Sequence, residues 1–442
     1  MKAEPAANEP RGRRLRLLLS AYACNPYKGS DAGEGWNRAR EAARLFDTWV
    51  ICGHWDQVDI SHYLAKHGEI PGLHFCFVAA GWFDHLLKAR QPLYYANYLH
   101  YNLWQRRAFH LGTQLHREVK FALIHHAILV GFREPGYLWK LGVPFIWGPM
   151  GGTQNYPWRF LPLAGVRGAL LEGVRSLINL LHLRFSPRVR RAVRKAALLV
   201  AANTQVQRDF VRVHGVKPRL LLDPGINETA AAGAKTFNPD APLRLLWSGS
   251  FEHRKALPLL LKALAGLPSD QRYELTILGA GPAEGRWRRL ARSLGLEEHC
   301  RWLGWLPLDQ ALKHYDGVDV LVFTSLRDTS GNVVLEALSR GVPVICLDHQ
   351  GAGDMVTSGC GFKIPVTTPH EVIRNLRQIL SRLADNKQEL YPLSAGAVER
   401  ARDFLWSRNA DQMAEFYQEA LVGQADPQTA ASRIPKGVSK RK

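Results

Sequence analysis

No two cysteines in this 442-residue chain stand at metal-ligand spacing. The six, Cys24, Cys52, Cys76, Cys300, Cys346 and Cys360, are scattered, with no C-x-x-C among them. That argues against a disulfide framework and a zinc site, and predicts free thiols, several of them in strands, in a reducing, cytosolic setting. No apolar run is long enough to span a bilayer. Met1 to Glu9 hold Glu4 and Glu9 and no apolar stretch, so no secretory signal is expected. Acids are scarce: 39 Asp plus Glu stand against 58 Lys plus Arg, a net charge of +19. Such a balance points to a polyanionic partner: nucleic acid, an anionic membrane or a phosphorylated substrate. Zinc-finger spacing and an RRM-like aromatic signature are both missing, so nucleic acid is not the expected partner.

What is present is a globular composition, 46% hydrophobic and 22% charged, in a chain long enough for two domains. Leu15 to Ala21, Thr48 to Cys52, Leu73 to Val78, Phe121 to Ile124, Pro144 to Trp147 and Leu198 to Ala201 read as strands with helices between them, among them Tyr101 to Val119. The strand from Phe121 ends in His125-His126 at its carboxyl end. A second series begins near Pro242: Leu243 to Trp247, Glu274 to Leu278, Cys300 to Leu303, Val318 to Phe323 and Val342 to Leu347. Glu228 to Lys235 is small and flexible in composition and reads as the link. The alternation predicts an α/β architecture of two Rossmann-like, doubly wound domains facing a cleft. The expected divisions are a basic extension over 1–14, a first domain over 15–227, a linker over 228–241, a second domain over 242–406, a final helix over 407–421 and a basic tail over 422–442.

The segment Thr324 to Val344 carries the most chemistry. Asp328 and Glu336 are separated by seven residues. Thr329-Ser330-Gly331 opens an apolar helix to about Arg340, with Gly341 as its C′ residue. Asp328 therefore falls in the loop and Glu336 inside the helix. Unpaired N–H groups at Gly331, Asn332 and Val333 form a ready phosphate site. Carboxylates beside it and about a turn deeper can hold sugar hydroxyls, which suits a nucleotide sugar. On spacing alone, a crossover unit whose carboxylates face solvent fits equally.

The segment resembles the E-x7-E signature of the family 4 retaining glycosyltransferases, which have the GT-B fold, with Asp328 and Glu336 in the two acidic positions. The resemblance covers most of Leu15 to about Leu421. It implies that Asp328 contacts the donor sugar and Glu336 the ribose. In Gly249-Ser250-Phe251-Glu252-His253-Arg254-Lys255, Lys255 matches the family's diphosphate-binding lysine. Ser250 replaces an arginine, for which Arg254 can stand in. The family's histidine, which contacts the donor sugar, maps onto His126 in preference to His125. Gly29 to Gly35, with Gly33 at its centre, resembles the first-strand glycine loop over the diphosphate or acceptor; a plain tight turn is the other reading. Leu278-Gly279-Ala280-Gly281-Pro282 resembles the family's G-x-G-P turn and reads as structural. Gly151-Gly152 either admits the acceptor or packs closely. The catalytic candidates are thus His126, Asp328 and Lys255. The donor-binding candidates are Glu336, Arg254, Ser330, Gly331, Asn332, Val333, Gly249, Gly33 and His125.

The implied activity is retaining transfer of a sugar from a nucleoside diphosphate to a hydroxyl on a glycan. Front-face attack is the implied mechanism, because no carboxylate is placed as a nucleophile. No D-x-D occurs, so no metal and no other cofactor is expected. Two alternatives stay open: a GT-B protein that binds nucleotide sugars without catalysis, and a basic nucleic-acid-binding protein. Trp158 to Lys195 mixes leucines with Arg159, Arg167, Arg175, Arg184, Arg188, Arg190, Arg191, Arg194 and Lys195 around a single acid, Glu172. It reads either as a helix with a solvated arginine face or as a face on an anionic membrane. The family's use of lipid-linked acceptors suits the second, at the cytoplasmic face.

Overall fold

The computed structural model describes residues 14–79, 81, 94–129, 131–229 and 235–423. The expected basic extension, except for its last residue, and the basic tail from 424 onward lie outside the described residues.

The first domain runs β1 (Arg16–Ala21), α1 (Ser30–Leu45), β2 (Asp47–Gly53), α2 (Gln57–His67), β3 (Leu73–Val78), α3 (Tyr94–Val119), β4 (Leu123–Ile128), β5 (Phe145–Met150), α4 (Leu161–Phe185), α5 (Pro187–Lys195), β6 (Leu198–Ala201), α6 (Thr204–His214) and β7 (Arg219–Leu220). Its sheet is parallel, in the order β3-β2-β1-β4-β5-β6-β7. Leu17, Leu18 and Leu19 on β1 are fully buried, because helices cover both faces of such a sheet and leave no polar alternation.

The second domain runs β8 (Leu243–Ser248), α7 (Leu257–Leu264), β9 (Tyr273–Leu278), α8 (Glu284–Ser293), β10 (Cys300–Gly304), α9 (Leu308–Asp316), β11 (Val320–Phe323), α10 (Asn332–Ser339), β12 (Val344–Leu347), α11 (Gln350–Met355), β13 (Gly361–Ile364), α12 (Pro369–Asp385) and α13 (Leu390–Arg402). Its order is β10-β9-β8-β11-β12-β13. In both sheets the order reverses beside the first strand, and ligands of doubly wound sheets bind beyond the strand ends at that point.

The chain passes between the domains twice at one place. Ile226 N donates to Phe404 O at 3.0 Å and Trp406 N donates to Ile226 O at 2.9 Å. Helix α14 (Trp406–Val422) then lies on the first domain, where Met413, Phe416 and Tyr417 pack with Leu17, Leu123 and Ile146.

The expected linker over 228–241 is too long. Lys235 Nζ donates to Tyr315 O at 2.6 Å and Val318 O at 2.7 Å, and Phe237 is buried. Contacts with the second domain thus begin at Lys235, and composition missed this because one lysine capping backbone carbonyls leaves no pattern. All six cysteines are free thiols and five are buried.

Candidate active site

Helix α10 sets the centre. Its N-cap is Gly331, left-handed at φ 79°, where a Cβ would come within 3.0 Å of the Phe323 ring. Only glycine fits this turn without strain. The first N–H groups of α10 have no acceptor within the helix and carry its positive end. The hydroxyl of Ser330 is buried and has no hydrogen-bond partner among the described residues. An orphaned donor beside free N–H groups is the arrangement that an oxyanion completes.

Asp328 lies just before this turn. Its carboxylate pairs with Lys255 Nζ, stands 3.8 Å from Arg254 Nη1 and accepts from Thr329 N at 3.1 Å. Burial pushes the Asp328 pKa up, but Lys255 and Arg254 outweigh that and hold it below the usual range. Lys255, the residue that matches the family's diphosphate-binding lysine, meets a carboxylate here. Its ammonium is tied to Asp328, because two charges brought this far out of water are costly apart. Arg254 is half-buried between Glu252 and the Arg327 carbonyl, to which Nη1 donates at 3.1 Å.

Glu336, about one turn into α10, accepts from Tyr315 OH at 2.9 Å through Oε2. Burial raises its pKa, partly offset by Tyr315 and Arg340. Gly249 abuts the G-x-G-P turn: a Cβ on Gly279 would lie 1.9 Å from Gly249 O. Those glycines therefore serve chain packing.

The first domain closes over this centre at several points. Asn332 Nδ2 donates to Glu34 Oε1 at 3.1 Å, and Asn203 Nδ2 donates to Thr329 O at 2.8 Å. Glu34 is buried, and burial with Asp223 and Asp31 nearby raises its pKa well above normal. A Cβ on Gly151 would lie 2.6 Å from Thr329 Cγ2, so Gly151 is small because the second domain packs on it. The buried carboxylate of Glu172 on α4 binds Arg327 and also His253, whose Nε2 lies 2.9 Å from Oε1.

Two first-domain expectations are corrected. The stretch from Ser30 to Gly35 is the first turns of α1, not a loop, and a Cβ on Gly33 would lie 2.4 Å from Lys28 O. Gly33 lets the helix sit on the preceding turn. His125 and His126 lie inside β4, which runs on to Ile128, so they do not close the strand. Both are buried. His125 Nδ1 pairs with Tyr417 OH at 2.9 Å and Nε2 with Gly148 O at 2.7 Å. His126 Nδ1 is 3.3 Å from Ser20 Oγ, and its Nε2 stands 3.5 Å from both Tyr101 OH and Gln105 Nε2. Burial lowers their pKa values to about 3 and about 4, so both are neutral. Both rings are enclosed by partners from the first domain and α14.

Asp328, Lys255, Arg254, Ser330, Gly331, Asn332, Val333 and Glu336 are thus gathered around one helix end, and His125, His126 and Gly33 stand apart in packing roles. Sequence reasoning missed Glu34 and Arg327. It noticed Glu172 only as the lone acid among arginines, and that isolation was the usable signal. Among the described residues no group of three or more His, Cys, Asp or Glu is arranged to hold a metal.

Residues 230–390 match the family described as Glycosyl transferases group 1. The chain is 30% identical over 250 residues to a D-inositol 3-phosphate glycosyltransferase of Streptomyces bingchenggensis, covering 52% of this chain and 54% of that protein. It is 28% identical over 184 residues to the protein of that name from Corynebacterium glutamicum, covering 40% and 43%. The matches span about half the length of these curated relatives. Among solved structures, sucrose-phosphate synthase from Thermosynechococcus elongatus superposes with a TM-score of 0.63 at 17% identity, over 93% of this chain and 100% of that one. A lipopolysaccharide outer core galactosyltransferase gives 0.62 at 14%, with the same coverage. The fold is GT-B.

Proposed function

We propose, from a second domain that belongs to the group 1 glycosyltransferases, that the chain transfers a sugar from a nucleoside diphosphate to a hydroxyl group. The observation that carries this reading is the helix end at Asn332. Free N–H groups and the orphaned Ser330 hydroxyl stand beside the Lys255–Asp328 pair, with Glu336 deeper in the same helix.

In this reading the diphosphate docks on the α10 N-terminus and Lys255 turns from Asp328 toward it, with Arg254 in support. Asp328, released, accepts hydrogen bonds from the donor sugar. Glu336 has one oxygen on Tyr315 and offers the other to the ribose. As the glycosidic C–O bond breaks, negative charge grows on the diphosphate, where the helix end and Lys255 stabilise it. No carboxylate is placed as a nucleophile, which favours front-face attack with retention. The acceptor proton then passes to a diphosphate oxygen. The charge of this site needs no metal ion.

The acceptor in this reading is a glycan hydroxyl, on a lipid-linked chain in polysaccharide synthesis at the cytoplasmic membrane face. Among the described residues no helix is long and apolar enough to cross a membrane. The test is release of nucleoside diphosphate by purified protein from a panel of sugar donors, with and without polyprenyl-linked glycans. Release stimulated by an acceptor supports the reading. No release from any donor overturns it.

A further inference from the structure

Helix α4 is built inside out. Beyond a kink at Gly165, where φ is 73°, one line of it reads Gly168, Glu172, Arg175, Asn179 and Leu183, at spacings of three and four, and faces the protein. Its polar members are engaged. Glu172 holds Arg327 and His253, Arg175 Nη1 donates to Gln154 O at 2.9 Å, and Asn179 Nδ2 donates to Gly152 O at 3.1 Å. The opposite line reads Val166, Leu170, Val174, Leu177 and Leu181, and it is exposed, Val166 to 90% and Leu170 to 68%. A water-facing helix carries the reverse pattern. Nine large apolar side chains from Trp158 to Phe185 are exposed together. Scattered single ones are ordinary, but a contiguous face marks a docking surface.

The charges around it select the occupant. The only acid from Trp158 to Lys195 is Glu172, which is 3% exposed. At one end Arg159 lies 5.2 Å over the Trp158 ring, and at the other Arg184 lies 5.8 Å from the Phe185 ring. Beyond that end α5 exposes Arg190, Arg191, Arg194 and Lys195. A second copy would bring two basic rims together. Anionic headgroups complement the rim, and acyl chains the apolar line. Charged groups on the inner line are bonded to protein, so α4 lies flat and does not cross.

We propose that α4 is a lipid-immersed helix, lying in the plane of an anionic membrane with Leu170, Leu177 and Leu181 below the headgroups. This sharpens a face on an anionic membrane into insertion: apolar burial supplies the affinity and the arginines set the charge preference. It stands on burial and charge. The glycosyltransferase reading enters only in what the surface delivers, a lipid-linked acceptor.

The test uses the full chain with phosphatidylcholine vesicles carrying about one-third phosphatidylglycerol, an anionic surface. Wild type is expected to co-sediment and to stay largely bound at physiological salt. The triple variant L170S/L177S/L181S removes only exposed side chains, so its thermal midpoint should hold. Its vesicle affinity should fall about tenfold per leucine. Trp158 emission should shift to the blue on vesicles, and the W158F variant should lose that part. Wild type remaining in the supernatant overturns the proposal. So does a triple variant that binds like wild type, which leaves an electrostatic contact alone. A concentration-dependent dimer that the triple variant abolishes, without vesicle binding, assigns the face to a second copy. Donor affinity by calorimetry should be equal in wild type and triple variant. If neither binds any donor, the enzymatic reading fails while this one stands or falls on the vesicles.

Discussion

Glu172 on the first domain receives two parallel hydrogen bonds from Arg327 on the second. Nη2 lies 2.8 Å from Oε1 and Nε lies 3.1 Å from Oε2. Arg327 precedes Asp328, and His253, also on Glu172, is two residues from Lys255. One carboxylate therefore fastens both loops that carry the proposed donor contacts.

Replacing it should loosen both loops. Burial pushes the Glu172 carboxyl up, but the bonds from His253 and Arg327 outweigh that and bring it to about 2. Its folded pKa is thus below the unfolded value. The stability it contributes is complete above about pH 4.3 and is lost as pH falls toward 2. At neutral pH the full contribution is present, and Glu172→Gln should cost about 1–3 kcal/mol in urea denaturation. It should also lower turnover with saturating donor. Equal stability and equal turnover would show the contact to be idle.

The histidine pair predicts a pH dependence of its own. Burial holds His125 and His126 at about 3 and about 4, below the ordinary value. The unfolded chain therefore binds more protons as pH drops below about 6.5, and stability falls from there toward pH 4. Asp31, raised by burial and by Asp223 to about 6, acts in the opposite direction in that range, so a difference measurement is needed. Wild type minus His126→Asn, followed by denaturant midpoint from pH 7 to 5, should fall with acid. A constant difference contradicts a neutral, buried His126.

Lys255→Ala should keep its fold, because Arg254 remains 3.8 Å from Asp328. If Lys255 meets the leaving diphosphate, kcat should drop about 10²–10³-fold, the size seen when a charge-stabilising donor is removed. Arg254→Ala should cost less. Turnover should survive a chelator, and a loss reversed by added metal would contradict the metal-free reading.

Much of this was legible in the sequence, and the limits have physical causes. A buried parallel strand announces itself as an apolar run, so Leu198–Ala201 matches its expected bounds, and the half-buried edge strand Leu73–Val78 does so too. The Asp328–Gly331–Glu336 placement followed from helix capping, and Gly341 is left-handed at φ 67° as a C′ glycine should be. Side-chain direction was not legible. His125 and His126 look like cleft residues until β4 is seen to continue past them. Gly33 looks like a ligand loop until the Lys28 carbonyl is found against it. Pairing across the cleft, as in Glu172–Arg327 or Glu34–Asn332, joins residues more than 150 positions apart and has no local signature.

The central claim is that the α10 N-terminus with Glu336 holds a nucleoside diphosphate sugar. The direct measurement is calorimetric titration of donors into wild type and Glu336→Gln. One donor should bind the wild type, and the variant should bind it more weakly by about 1.5–3 kcal/mol, the worth of a charge-assisted hydrogen bond. Its thermal midpoint without ligand should be close to wild type. Equal donor affinity in the two proteins would remove Glu336 from the site and contradict the claim.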